Sequence, residues 1–290
     1  MNNASDASIE DKELFEQQGF LTIPDALSDT QIALLIEAID KLTEGEPSKI
    51  HNVADIFGKH DAFLDLLDLP TVLPAVRALM GDNIWVNHSH FNANPITWSN
   101  DIGNYSNGYG WHRDGGAIHK DLPWPPPLLS LNVGFYLTDL GEPGRGETYF
   151  IRDSHLSGER PPGPQQLPDS AFAMLVSPGT AVLFDRRLIH SNRSTNSSGL
   201  KRRVVFIQYA FRWMAAVDSM NVEYLRRKCS PVRRQLLELS TGIHTIDGAR
   251  GRSGHYYPIA SDIPLSGRKG VGFLRKLGSW GRRLLRPTKY

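Results

Sequence analysis

The hydrophobic positions change period along the chain. Ile32, Leu35, Ile36, Ala38, Ile39 and Leu42 recur on one helical face, and Ser28 with Gln31 three residues on forms the capping box that opens such a helix. A shorter helical stretch in "DKELFEQQ" and a brief apolar strand from Phe20 to Ile23 precede it. "PTVLPAVRALMG" (70–81) predicts a second helix, with Pro70 near its start and Gly81 at its end. "NIWVNHSHFNANP" then alternates apolar and polar residues, the period of a strand. From residue 108 onward short strand-like runs alternate with turn residues: "LLSLNVGFYLTDL" (128–140), "ETYFIR" (147–152), "AFAMLVS" (171–177), "GTAVLFD" (179–185) and "RRVVFIQYAFRW" (202–213). Helical patterns return in "NVEYLRRKCS" and "PVRRQLLELS".

Many short strands with Gly/Pro turns and no intervening helices argue for a sandwich or barrel, mainly β with flanking α-helices. There is no internal repeat or low-complexity tract. Residues 1–265 therefore read as one domain and 266–290 as a separate basic tail.

Composition narrows the class. The 290 residues are 40% hydrophobic and 22% charged, which is ordinary globular usage and enough chain for a substantial core. No 18-residue apolar run suggests a membrane helix, and "MNNASDASIEDKELF" lacks the basic and apolar regions of a signal peptide. Cys229 is the only cysteine, so CxxC metal sites and intramolecular disulfides are excluded and a reducing, cytoplasmic setting is expected. The net charge of +1 hides an asymmetry: residues 266–290 hold eight Lys/Arg and no Asp/Glu, leaving 24 basic against 31 acidic residues in the body. A net −7 body does not suit nucleic-acid binding.

The chemistry begins at "GWHRDGG" (110–116). In a strand His112 and Asp114 would project together, with Arg113 on the other face, and an imidazole beside a carboxylate makes two thirds of a facial triad for non-haem Fe(II). The third ligand should close a late strand. His190 does so at the end of "SPGTAVLFDRRLIHSN", although His88 and His90 also share a strand face, and His51, His60, His119, His155, His244 and His255 compete on composition. "RRVVFIQYAFRW" opens on two arginines ahead of apolar residues. A guanidinium there suits a carboxylate, which it can grip with two parallel hydrogen bonds.

These segments, in this order, resemble the phytanoyl-CoA dioxygenase family of Fe(II)/2-oxoglutarate oxygenases, over roughly residues 13 to 260. "FEQQGFLTIPDALSDTQIALLIEAID" is similar to the family's opening strand and helix, and "WHRDGG" to its H-x-D segment. "LNVGFYLTDLGEPGRGETYFIRDSH" resembles the strand-loop-strand that ends in its P-G-S-H signature. The resemblance implies a double-stranded β-helix (jelly-roll, cupin-like) core. It implies iron on His112, Asp114 and His190, 2-oxoglutarate on Arg202 with Arg203 one register away, and Asn94, Gly134 and Thr148 as further co-substrate contacts. O₂ would be the oxidant, with succinate and CO₂ released. Related halogenases lack the carboxylate of Asp114, so hydroxylation, or another oxidative outcome such as desaturation, is implied. The chain departs from the family at Arg152-Asp153-Ser154-His155, where many members have Pro-Gly-Ser-His, at Arg113, where Gln is frequent, and at Asn94, where some carry a lysine.

The expected substrate is a small organic molecule, either a lipid-like acid or a secondary metabolite. The alternatives are a peptide hydroxylase on the same core, and a jelly-roll that binds metal or ligand without turnover. Trp111, His119 and Trp124 are the candidate substrate contacts. "AIHKDLPWPPPLLS" fits either a stiff lid or a surface loop, and Asn132, Gly134 and Tyr136 are expected on one inward strand face. In the tail, Phe273, Leu277, Trp280 and Leu284 form one helical stripe among basic residues. That pattern suits peripheral contact with an anionic membrane, and equally a tail lying on the acidic body or without fixed order.

Overall fold

The computed structural model describes residues 9–46, 48–95, 109–115, 122–164, 166–191 and 195–239. The basic tail and its predicted helix lie outside these residues, as does His119. Helix α1 (Ile9–Gln18) leads into β1 (Phe20–Ile23) and α2 (Asp29–Leu42). The expected capping box is present: the Ser28 hydroxyl accepts from Gln31 N–H, and the Gln31 side chain accepts from Ser28 N–H at 2.9 Å. Helix α3 (Leu73–Met80) begins later than its pattern suggests, because Pro74 occupies the first turn and Pro70 sits in the turn before it. The later strands are β3 (Ile84–Asn94), β4 (Ser130–Tyr136), β5 (Thr148–Ile151), β6 (Ala171–Met174), β7 (Ala181–Asp185), β8 (His190–Ser191) and β9 (Arg202–Phe211).

A further strand, β2 (His51–Ala54), pairs with the end of β3. Its four residues are too few to show a period. "NVEYLRRKCS" forms only a single 3₁₀ turn (Glu223–Leu225), while "PVRRQLLELS" yields the short helix α4 (Pro231–Leu236).

The strands form two antiparallel sheets, one in the order β1-β7-β4-β9-β3-β2 and the other β6-β5-β8. Two facing antiparallel sheets make the jelly roll that the sequence implied. Between them Tyr136, Phe150, Met174, Phe184, Val204 and Phe206 pack into one core, and Phe20 and Phe172 seal its edge. Each fully buried phenylalanine there contributes about 1.5–3 kcal/mol. All seven residues of β4 and all five of β7 are buried, because the large sheet is covered on its outer face as well. A long 3₁₀ helix, Asp61–Asp68, supplies part of that cover: Phe63 stacks on Phe91 at 6.1 Å, and Tyr209 O–H donates to Leu67 O at 3.1 Å.

Candidate active site

His190 opens β8, and His112 joins it in a single antiparallel bridge, with N–H···O distances of 3.1 and 3.0 Å. Asp114 lies in a turn, not in the strand expected for the H-x-D, and its N–H donates to Arg186 O at 3.0 Å. The side chains still converge. His112 Nε2 is 3.6 Å from Asp114 Oδ1, His190 Nε2 is 3.7 Å from Oδ2, and the two rings are 4.3 Å apart. One ligand atom from each residue falls within 4.8 Å of the others, a spacing that could hold a metal ion.

The ring orientations suit a cation. His112 Nδ1 lies 2.9 Å from Gly110 O, and His190 Nδ1 lies 3.0 Å from Leu188 O. A carbonyl only accepts, so each Nδ1 carries the hydrogen and each Nε2 lone pair is left for a metal. Burial, reinforced by His112 and opposed by Asp114, pushes His190 down to about 4, so it is neutral near pH 7. Burial opposes ionisation of Asp114, but His190, His112 and the Asn132 amide outweigh it and hold the carboxyl below its usual range. Asn132 Nδ2 donates to Asp114 Oδ2, and Gln208 Nε2 donates to Asn132 Oδ1 at 3.0 Å, which fixes the carboxylate's rotation. Asn132 and Tyr136 thus face inward, as their spacing on β4 predicts.

The two arginines that open β9 part company. Arg203 ion-pairs with Asp40 of α2, at 3.0 Å through Nε and 2.7 Å through Nη2. Arg202 is fully buried. Its Nη2 reaches Thr148 Oγ1 at 3.3 Å, while Nε and Nη1 have no hydrogen-bond partner. Tyr136 O–H also donates to Thr148 Oγ1, at 2.9 Å, and Thr148 lines the same cavity as the triad. Gly146 makes room for the stem of Arg202, since a Cβ there would stand 2.9 Å from Cδ. A buried cation with two idle donors is costly unless an anion meets it, and Arg202, though not itself in the cavity wall, touches that wall through Thr148, so a dicarboxylate suits this end of the site as a divalent metal suits the triad.

The profile of the family described as phytanoyl-CoA dioxygenase (PhyH) matches residues 15–204. The chain belongs to the phytanoyl-CoA dioxygenase family. Two ectoine dioxygenases are similar to it. That of Sphingopyxis alaskensis is 22% identical over 226 residues, 67% of this chain and 73% of that protein. That of Streptomyces avermitilis is 22% identical over 142 residues, 44% and 45% of the two chains. Two solved structures share the fold: the α-ketoglutarate-dependent epimerase SnoN from nogalamycin biosynthesis and the carbocyclase SnoK from the same biosynthesis. SnoN aligns with TM-score 0.53 at 19% identity over 68% of this chain and 80% of its own, and SnoK with 0.54 at 20% over 78% and 92%. Membership makes this chain an Fe(II)- and 2-oxoglutarate-dependent oxygenase.

Not every residue expected at this family's site reaches the cavity. Asn94 is buried opposite Arg202 in the β3–β9 register and does not line the cavity. Gly134 meets the rings of Phe206 and Tyr136, where a Cβ would come within 2.9 Å of Phe206, so it shapes the wall from behind. Trp111 is buried against Tyr109 and Tyr149 and donates to Gln166 O at 2.8 Å. Trp124 lies under the Arg113 guanidinium, 4.7 Å from its ring centre. Neither tryptophan lines the cavity of the triad or the larger one beside it.

Arg113 acts as a clamp on the far side of the H-x-D. It donates to the carbonyls of Arg187 (2.7 Å), Glu159 (2.5 Å), Ser154 (2.8 Å) and Ser157 (2.7 Å). The departure from the P-G-S-H turn lies within this grip. Arg113→Ala should lower the free energy of unfolding by about 3 kcal/mol, after allowing for partial exposure. Denaturant midpoints would measure the loss.

His88 and His90, rivals for the metal on spacing alone, line the cavity of the triad without joining the cluster. His88 Nδ1 is 2.5 Å from Asp218 Oδ1. His90 stacks on Phe206 at 5.0 Å, and burial, then the neighbouring His88, pushes it down to about 4 from an ordinary 6.5. The unfolded chain binds a proton between those values that the folded chain refuses. Stability is therefore intact above pH 6.5 and falls as pH drops towards 4, by about 3 kcal/mol for this group. His90→Phe should flatten that acid limb. Unfolding midpoints measured across pH 4 to 7 in both proteins would show an unchanged slope if His90 were not responsible.

Proposed function

We propose that this chain hydroxylates a small organic molecule at iron held by His112, Asp114 and His190, with the distal carboxylate of 2-oxoglutarate on Arg202. The observation that carries this reading is the convergence of His112, Asp114 and His190 on a cavity whose wall also holds Thr148, the hydroxyl that the buried Arg202 reaches through Nη2 while its Nε and Nη1 stay unpartnered. Iron bound there with 2-oxoglutarate and O₂ supplies the oxidation, and succinate and CO₂ are the co-products.

The chain's own groups bind, orient and shield. Gly110 and Leu188 carbonyls hold the ring tautomers, and Asn132 holds the carboxylate. Thr148 and Arg202 orient the co-substrate, and Phe184 and Phe206 keep water from the cavity wall. A small-molecule substrate accords with the family, and the acidic body gives no footing for nucleic acid. Residues 1–265 are proposed as the catalytic domain and the cytoplasm as its setting.

The test is anaerobic. Fe(II) and then 2-oxoglutarate are added to the metal-free full chain, and the weak visible charge-transfer band of the chelated complex is sought. Its appearance is the expected result. Iron binding with no band would instead favour a jelly roll that has kept the shape and lost the chemistry.

A further inference from the structure

A second cavity of about 980 Å³ adjoins that of the triad. That places it at the upper end of ligand pockets. Its walls are mainly apolar, with Leu122, Leu129, Trp213, Met214 and Val217 prominent, and it shares Asp114, His88 and Gln208 with the smaller cavity. Arg186 stands in this wall. The residue is 3% exposed, its Nε donates to Asp114 O at 3.3 Å, and its Nη1 is buried with no partner. Gly115, at φ +80°, exists as glycine for this side chain: a Cβ there would stand 1.3 Å from Arg186 Nη2.

The nearby carboxylates are already engaged. Arg187 holds Asp185 through Nε at 2.9 and 3.0 Å and through Nη2 at 2.5 Å, and Asp114 belongs to the proposed metal site. Arg186 makes no ion pair within 4.0 Å among the described residues. A guanidinium cannot shed its charge to relieve this burial. It therefore marks where an anion arrives from outside, at the polar end of an apolar chamber.

We propose that the substrate is an amphipathic carboxylic acid whose apolar body occupies this chamber and whose carboxylate is bound by Arg186. This rests on the oxygenase reading for the chemistry but not for the binding. Arg202 serves the co-substrate and Arg186 the substrate, so the two anions are sorted by two buried arginines that flank His190 in sequence.

The probe is decanoate, compared with methyl decanoate, which keeps the apolar body and loses the charge. Calorimetric titration of the full chain under chelator should give decanoate binding at least about tenfold tighter than the ester, the worth of one charge-assisted pair. Arg186→Gln should erase that preference and leave ester binding unchanged, while Arg202→Met should retain it. Arg186→Gln should unfold at no lower temperature than the parent, since it removes an unpaired buried charge. It should also keep the anaerobic iron–2-oxoglutarate band. Failure of either ligand to bind, equal affinity for acid and ester, or a preference that survives Arg186→Gln would each overturn the proposal. A band lost only in Arg186→Gln would reassign the residue to the co-substrate. A band absent from the parent would sink the oxygenase reading while the carboxylate preference still stood or fell separately.

Discussion

Asp114→Ala should give a folded protein that shows no iron–2-oxoglutarate band and forms succinate more than about 100-fold more slowly. That figure is the upper end of what losing an outer hydrogen-bonding partner of a metal ligand costs, and a ligand itself should exceed it. The substitution removes the only carboxylate in the cluster and leaves two imidazoles whose Nε2 atoms face a gap. It does not threaten the fold, because the turn at Asp114 is held by its backbone N–H on Arg186 O, which alanine keeps. Asn132→Ala provides the internal scale. It leaves the carboxylate in place but frees its rotation, and should cost about 10- to 100-fold. If Asp114→Ala were no worse than Asn132→Ala, Asp114 would be an orienting group and the third ligand would have to be sought elsewhere, with His88 and His90 the first to test.

The strands were legible because each announces itself within a few residues, whereas joining His190, rather than His88 or His90, to His112 and Asp114 rested on the family resemblance. Alternation predicted β3, an apolar run behind two arginines predicted β9, and an apolar run ending in histidine singled out His190. What the chain did not reveal depends on groups far apart in sequence. The choice between Arg202 and Arg203 turns on Asp40 of α2, 163 residues away from Arg203. Arg113 stood out only as a departure from the family's frequent Gln, yet it grips carbonyls at 154, 157 and 159 and again at 187. Trp111 was attractive for its place beside His112, but its side chain is buried in the small cluster with Ile151 and Ile189. Neither Arg186 nor Gly115 could have been singled out, since the space each needs is defined only by the other. A pair such as Pro70 and Pro74 shows a milder limit: either can open a helix, and α3 takes the second into its first turn.

Arg202→Met tests the other half of the site, and its expected effects have opposite signs. Without ligand the substitution should stabilise the protein by about 1–4 kcal/mol, because an unpaired buried guanidinium gives way to an apolar side chain of similar length. Burial already holds the Arg202 pKa below its ordinary value, only partly offset by Tyr136 and Glu147, so the charge is a burden to the empty fold. With 2-oxoglutarate the balance reverses. Losing one partner of a buried charge pair costs about 2–5 kcal/mol, so the concentration needed to develop the anaerobic band should rise by about 100-fold, with iron affinity unchanged. Arg203→Met should do neither. It breaks a half-exposed ion pair with Asp40, lowers stability by about 1 kcal/mol or less, and leaves the 2-oxoglutarate requirement where it was. A 2-oxoglutarate titration and a thermal melt on the two variants together decide the assignment. If Arg203→Met shifted the titration and Arg202→Met did not, the co-substrate would lie one register away, and the unpartnered nitrogens of Arg202 would need another anion.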